Sequence, residues 1–138
     1  YSVIMLDDND ILLSMARDMY AHYGIHCEIC NNTGDLMEAI RTNDYDLLIT
    51  GDRNMAAERQ LIADHDLPDI EALVVGHHGS KSSTSKELLE ALTPETGIIS
   101  VGDNSYGHPT EDALRRLVLA DVEIYRTDKQ GTVHLSVN

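Results

Sequence analysis

The sequence predicts a three-layer α/β/α sandwich around a mostly parallel sheet, and three observations carry that expectation. Short apolar runs alternate with stretches of helical periodicity along the whole chain, which is the pattern of repeated βα units. The connections are short and the alternation is strict, which implies right-handed crossovers through the intervening helices. A length of 138 residues suits one domain, with a sizeable core but not two independent ones.

Taken in order, Ser2 to Leu6 is an apolar strand that ends at Asp7-Asp8-Asn9-Asp10. Asn9 or Asp10 caps the first helix, in which Leu12, Met15, Met19 and Tyr23 recur at helical spacing as the inward face, and Gly24 stops it. Ile25 to Asn31 is the second strand. Thr33 or Asp35 opens the second helix, with Leu36, Ala39 and Ile40 inward, and Asn43 ends it. The third strand lies within Tyr45-Asp46-Leu47-Leu48-Ile49-Thr50-Gly51-Asp52, an apolar run closed by a polar turn that delivers Asp52 to the edge of the sheet.

Asn54 caps a third helix through Glu58, Leu61 and Ile62, which Pro68 closes. Ile70 to Val75 is the fourth strand and stops at Gly76-His77-His78-Gly79-Ser80. Thr84 with Glu87 three residues on is a capping box for a helix that turns Leu88, Leu89 and Leu92 inward. Gly97 to Val101 is the fifth strand, Gly102 to His108 a loop, and Pro109 opens a helix with Leu114, Leu117 and Val118 as its apolar face. Val122 to Arg126 and Thr132 to Val137, joined by Asp128-Lys129-Gln130-Gly131, read as a hairpin. The outcome is a flavodoxin-like sheet of order 2-1-3-4-5, extended at its edge by a C-terminal β-hairpin.

The composition narrows the function classes. Net charge is -14, shared between residues 1 to 50, with nine acids against two bases, and residues 51 to 138, with fifteen against eight. So acidic a chain repels phosphate backbones, which argues against nucleic acid as a partner of the isolated chain. Trp and Phe are absent, so the core is aliphatic. Cys27 and Cys30 form a C-x-x-C on a strand, where residues three apart face opposite ways; they are expected to be apolar fillers, not a redox pair or a metal site. With no signal peptide and no run of 18 apolar residues, the expectation is a soluble, cytoplasmic chain with no membrane contact. It is expected to be a monomer, or a homodimer paired through the open edge of the final strand.

Two resemblances meet in the third strand. Residues 1 to 50 resemble a receiver domain of the CheY-like response-regulator family, through the acid pair Asp7-Asp8, the following Asn9, the long first helix ended by Gly24, and Tyr-Asp-Leu-Leu-Ile-Thr at Tyr45–Thr50. That family places the phosphate-accepting Asp directly after this strand, where Gly51 stands here and Asp52 is one position late. A small hydroxyl residue at the fourth strand's end and a Lys at the fifth's are replaced by Gly76-His77 and Gly102-Asp103.

Residues 47 to 138 are similar to the second half of the metallo-β-lactamase-fold domain of ComEC-type competence (DNA-uptake) proteins. The matching motifs are Leu-Leu-Ile-Thr-Gly-Asp, Val-Val-Gly-His-His-Gly-Ser-Lys-Ser-Ser, Ile-Ile-Ser-Val-Gly, Asn-Ser-Tyr-Gly-His-Pro and Tyr-Arg-Thr-Asp-Lys-Gln-Gly-Thr. The resemblance implies that Asp52 would bridge two metal ions and that His77 or His78 would ligate one. The His-x-His-x-Asp-His cluster of that fold occurs nowhere in residues 1 to 50. Together the two half-matches imply a recombined or designed single domain, residues 1–138, with neither parent's active site whole.

Strand-end placement brings Asp7, Asp8, Asp52, His77, His78 and Asp103 to the carboxyl edge of one sheet. Carboxylates alone suit Mg²⁺ or Mn²⁺, and added imidazoles shift the preference toward Mn²⁺ or Zn²⁺. The candidate metal set is therefore Asp7, Asp8, Asp52, His77 and His78, set against a solvated acidic rim with two exposed histidines. Asp52 and His108 are the catalytic candidates. Ser80 and Lys81, in the one basic, hydroxyl-rich loop near a helix start, together with Asn104 and Tyr106, are candidates for an anion or substrate; the plainer reading is a capped loop and a turn. Three functions follow: a scaffold without an intact catalytic site, a metal-dependent hydrolase or nuclease-related domain, and a degenerate phosphorelay receiver.

Overall fold

The computed structural model describes residues 1–136 and shows a six-stranded sheet in the order β2-β1-β3-β4-β5-β6. The strands are β1 (Ser2–Leu6), β2 (His26–Cys30), β3 (Leu47–Ile49), β4 (Ala72–Val74), β5 (Thr96–Ile99) and β6 (Glu123–Arg126). Every neighbouring pair is parallel, and the register runs Ser2 to His26, Val3 to Leu47, Leu47 to Ala72, Ala72 to Thr96 and Thr96 to Glu123. The helices are α1 (Asp10–His22), α2 (Thr33–Thr42), α3 (Met55–Asp64), α4 (Lys86–Leu92), α5 (Glu111–Leu119) and the single turn α6 (Thr127–Gln130). The predicted order of the first five strands and the α/β class are as expected.

The C-terminal hairpin is not. Asp128-Lys129-Gln130 coil into α6 because local polar contacts favour a helical turn over a reversal into a strand. Asp128 takes the Arg126 guanidinium at two points, 2.9 and 2.7 Å, and the Gln130 side chain accepts the Arg126 N–H at 2.6 Å. Thr127 Oγ1 accepts from the Val101 N–H at 2.8 Å and donates to the Val101 carbonyl at 2.7 Å, which holds the turn against the loop after β5. Gly131 then ends α6 at φ 72, and Thr132–Ser136 forms no strand, while Val137 lies outside the described residues. The sheet's edge on this side is β6 itself, parallel to β5.

Two apolar clusters fill the two faces. The larger joins Ile4, Leu6, Leu48, Leu73 and Ile99 of the sheet to Leu36, Leu61, Leu88 and Leu117 of α2, α3, α4 and α5. The smaller joins Val3, Met5, Cys27, Leu47 and Ala72 to Leu13, with Ala16 and Tyr20 beside it, so α1 is the one helix in that cluster. The inward face of α1 is therefore Leu13-Ala16-Tyr20. Leu12, Met15, Met19 and Tyr23, expected inside, are 44, 66, 52 and 74% exposed. Both stripes have helical spacing, and the chain turns the one that packs on β1 and β2 inward. Likewise α5 buries Ala113 and Leu117 and leaves Val118 exposed.

The caps also refine the predicted boundaries. Asn9, Asn32 and Asn54 cap α1, α2 and α3 through their side-chain oxygens. At α4 the cap is Ser85, which accepts the Leu88 N–H, because Thr84 sits at φ 53 and spends its hydroxyl on the Gly76 N–H at 3.0 Å. α5 opens at Glu111 under a Thr110 cap, so Pro109 lies one residue before the cap and does not open the helix.

Cys27 and Cys30 lie in opposite clusters, both buried and free, as the strand period requires. Burial, with Glu28 and Asp35 adding to it, pushes the Cys30 thiol from 9.0 to about 11. The folded state thus holds this proton more tightly than the unfolded chain. That stabilisation is complete below pH 9 and is lost as pH rises toward 11. Urea unfolding is expected to show a Cys30 share of about 2 kcal/mol in the fall of stability across that window, which a Cys30→Val variant is expected to lose while Cys27, also raised by burial, keeps its own share.

Candidate functional site

The carboxyl ends of β1, β3 and β4 open into a cavity of about 390 Å³. Its rim carries Asp7, Asp8, Asp52, His77 and His78, and its apolar floor is Met5, Leu12, Ile49 and Val74. Topology accounts for the gathering, since parallel strands deliver all their following turns to one edge.

Three of the rim residues, Asp7, His77 and His78, have definite local contacts. Asp7 is buried, and its Oδ1 accepts the Asn9 N–H at 2.9 Å, so this carboxylate closes the turn into α1. Gly51, at φ 54, lies directly against it, and a Cβ there would collide with Asp7 Oδ2 and come within 3.3 Å of the Leu6 carbonyl. That contact leaves no room for a side chain at 51; the acid one position on, Asp52, is exposed in the turn. The His77 N–H donates to the Gly51 carbonyl at 3.0 Å, tying the turn after β4 to the turn after β3.

His77 and His78 both occupy left-handed backbone, φ 47 and 54, a costly pair of conformations for residues with a Cβ. The exposed His78 ring places Nδ1 2.6 Å from the Ser100 carbonyl. A carbonyl only accepts, so Nδ1 carries a proton, and in the neutral ring this leaves the lone pair on Nε2, the tautomer of a metal-ligating imidazole. His77 stacks edge-on against His108, ring centroids 5.5 Å apart at 82°.

The acids thus stand on the β1 and β3 side of the cavity and the imidazoles on the β4 and β5 side. Among the described residues no three His, Cys, Asp or Glu side chains gather in a metal-holding arrangement. The donor chemistry suits a divalent ion; Asp7 Oδ1 is bonded into the α1 turn, and Asp52 is exposed. Asp103 is exposed in the loop after β5.

The loop candidates are held by internal bonds. Asn104 organises its turn, accepting from the Tyr106 and His108 N–H groups and donating to the Gly102 and His108 carbonyls. Tyr106 projects from it, 83% exposed. In the Ser80–Ser85 loop Lys81 is exposed, Ser80 Oγ pairs with Ser82 Oγ at 3.0 Å, and Ser83 Oγ donates to the Gly76 carbonyl at 2.7 Å.

Sequence reasoning missed the two residues that fix this loop. Glu58 on α3 is 3% exposed and accepts the N–H groups of Thr84 and Ser85 at 2.6 and 2.7 Å. Arg116 on α5 donates to the carbonyls of Thr84 and Ser83, both at 2.9 Å, and of Lys81 at 3.2 Å. One available signal was a Glu on the same helical face as Leu61 and Ile62.

No family model matches the chain. It is 37% identical over 105 residues to ComE operon protein 3 of Bacillus subtilis, covering 74% of this chain and 13% of that protein. It is 36% identical over 94 residues to Competence protein ComA of Neisseria gonorrhoeae, covering 66% of the chain and 14% of the relative. With Recombination protein 2 of Haemophilus influenzae it shares 36% over 91 residues, 65% of the chain and 11% of the relative. The chain therefore spans only about an eighth of the length of the curated relatives it matches. Its fold is similar to a solved response regulator receiver domain (CheY-like) from Methylobacillus flagellatus, with TM-score 0.50 and 16% identity over 88% of this chain and 98% of that one. The chain thus combines a CheY-like α/β fold with a sequence that is similar, over part of its length, to ComE- and ComA-type competence proteins.

Proposed function

We propose that this domain is a recombined α/β scaffold, receiver-like over residues 1–50 and metallo-β-lactamase-like over 47–138, without a complete catalytic site of either kind. The observation that carries this reading is the rim itself: Asp7, Asp8, Asp52, His77 and His78 share one cavity, yet no three of them converge on a point where an ion would sit. On this reading the rim attracts Mg²⁺, Mn²⁺ or Zn²⁺ only as a diffuse acidic surface does.

The test is thermal unfolding with and without Mn²⁺, Zn²⁺ and Mg²⁺, on this chain and on Asp52→Ala. The expected shift in midpoint is within about 1 °C and the same in both proteins, since an ion that binds folded and unfolded chains alike shifts nothing. A metal-dependent rise that disappears in the variant would overturn the scaffold reading. It would favour instead a metal-dependent hydrolase of the kind the metallo-β-lactamase resemblance implies, a second reading supported by the 37% identity to ComE operon protein 3 and by the His78 Nδ1 contact to the Ser100 carbonyl, which leaves Nε2 facing away from that bond.

A further inference from the structure

Helix α1 and its C-terminal cap carry a second apolar stripe on the surface turned away from the sheet. Ile11, Met15, Met19 and Tyr23 recur there every four residues with Leu12 beside them, and all five are exposed, Ile11 by 75% and Tyr23 by 74%. The other large apolar side chains exposed among the described residues are spread over the amino terminus, the loop after β5, α5 and the segment after α6. Five gathered on one helix make a patch, and a contiguous patch marks an interaction surface where scattered exposure does not.

The shape of the stripe points to what fits it. The row Ile11-Met15-Met19-Tyr23 is a ridge, and the neighbouring row Leu12-Ala16-Tyr20 is a groove, because Ala16 is small and Ala16 and Tyr20 lean onto the sheet. A helix with such a ridge beside such a groove is complementary to its own copy: rows of this spacing interdigitate when two helices cross at about −50°. A two-fold axis then sets the same patch on both sides. Charge agrees with a second copy. The chain carries -14, yet the stripe holds no charged residue, and Asp18 at its border is paired with Arg17 at 3.4 Å. Two copies meeting along it bury no ion, so the electrostatic cost is a long-range repulsion that salt screens. With about 200 Å² for a large side chain, the exposed parts of the five residues offer about 600 Å² per copy, so a pair buries about 1,200 Å², the lower bound of a specific interface.

We propose that the chain forms a two-fold homodimer through α1, with Met15 and Met19 at the axis and neither sheet edge involved. Leu12 also belongs to the floor of the histidine-lined cavity, so the second copy stands beside that cavity's mouth. The dimer does not depend on whether the cavity takes a metal.

Sedimentation equilibrium of the whole chain is the test. The expected dissociation constant is on the order of 10 µM, falling about fivefold or more between about 0.05 M and about 0.5 M NaCl as repulsion is screened. A Met15→Glu, Met19→Glu variant should raise it about 30-fold or more. Val118→Glu, Leu119→Glu adds the same charge at exposed positions of α5 and should change it by less than about threefold. Circular dichroism spectra of both variants should match the parent's. In the unaltered chain the Met15 and Met19 methyl NMR signals should move with protein concentration, while that of the buried Met37 stays. The proposal is overturned if the chain remains a monomer up to about 1 mM, whether or not neutral lipid vesicles or a basic amphipathic peptide then bind the stripe. Dimerisation that weakens with salt, or that survives the α1 variant, overturns it equally.

Discussion

Glu58→Ala is expected to cost about 3 kcal/mol of stability and to lower the thermal midpoint by about 10 °C. The carboxylate accepts the N–H groups of Thr84 and Ser85, and all three residues are buried. Truncation removes two charge-assisted bonds and leaves two backbone donors facing a hole that α3 and α4 cannot close. Thr84 stands at φ 53, so it also loses the contact that holds it in left-handed backbone. Glu58→Gln should fall short of rescue: its carbonyl replaces one acceptor, but its NH₂ meets the other N–H donor to donor. Urea unfolding followed by circular dichroism measures both variants. A loss below about 1 kcal/mol for the Ala variant would mean that water satisfies the Thr84 and Ser85 amides and that the clamp is incidental.

Gly79→Ala is expected to cost as much, about 3 kcal/mol, for a different reason. Gly79 has φ 81, and a Cβ there would lie 2.5 Å from Pro109 Cβ and 3.0 Å from Pro109 Cα. Neither a proline ring nor a backbone atom can swing aside as a long side chain would. The Gly79 carbonyl also accepts the Thr110 N–H at 2.9 Å, so pushing Pro109 away breaks the joint that seats the cap of α5. The comparison that isolates this effect is Gly102→Ala, where a Cβ meets nothing within 4 Å; that variant should unfold within about 0.5 kcal/mol of the parent. Equal behaviour of the two variants would show that the Gly79–Pro109 approach relaxes without cost.

These positions also mark what the sequence made legible. Period and punctuation located the first six strands, because apolar runs such as SVIML and LLIT end at Asp or Gly turns and each is followed by an amphipathic stretch. The placement of Asp7, Asp8, Asp52, His77 and His78 on one edge followed from that alternation alone. Their orientation did not, because it depends on Asp7 turning to the Asn9 N–H and His78 to the Ser100 carbonyl, contacts that no spacing encodes. In α1, two stripes of equal periodicity compete, and only the neighbouring β1 and β2 surface selects Leu13 over Leu12. The missing hairpin shows a similar limit. Asp-Lys-Gln-Gly is a permissible turn, but the Arg126–Asp128 pair and the Thr127–Val101 bonds coil it into a helix instead.

The strand order has a consequence for how the chain is made. A polypeptide emerging from the ribosome would first pair β1 with β2, Ser2 to His26, and every later strand would be laid on the other side of β1, each beside the last. Growth is therefore one-sided: β3, β4 and β5 in turn each present a bare row of backbone donors and acceptors until the following βα unit is synthesised. A chain of which only the residues up to Ile49, Val74 or Ile99 have cleared the ribosome would present an open parallel edge rich in Leu, Ile and Val, the kind of surface that captures another nascent chain. The finished domain ends this sequence with β6, a strand of Glu123, Ile124, Tyr125 and Arg126 whose charged ends make a poorer template than the strands it covers.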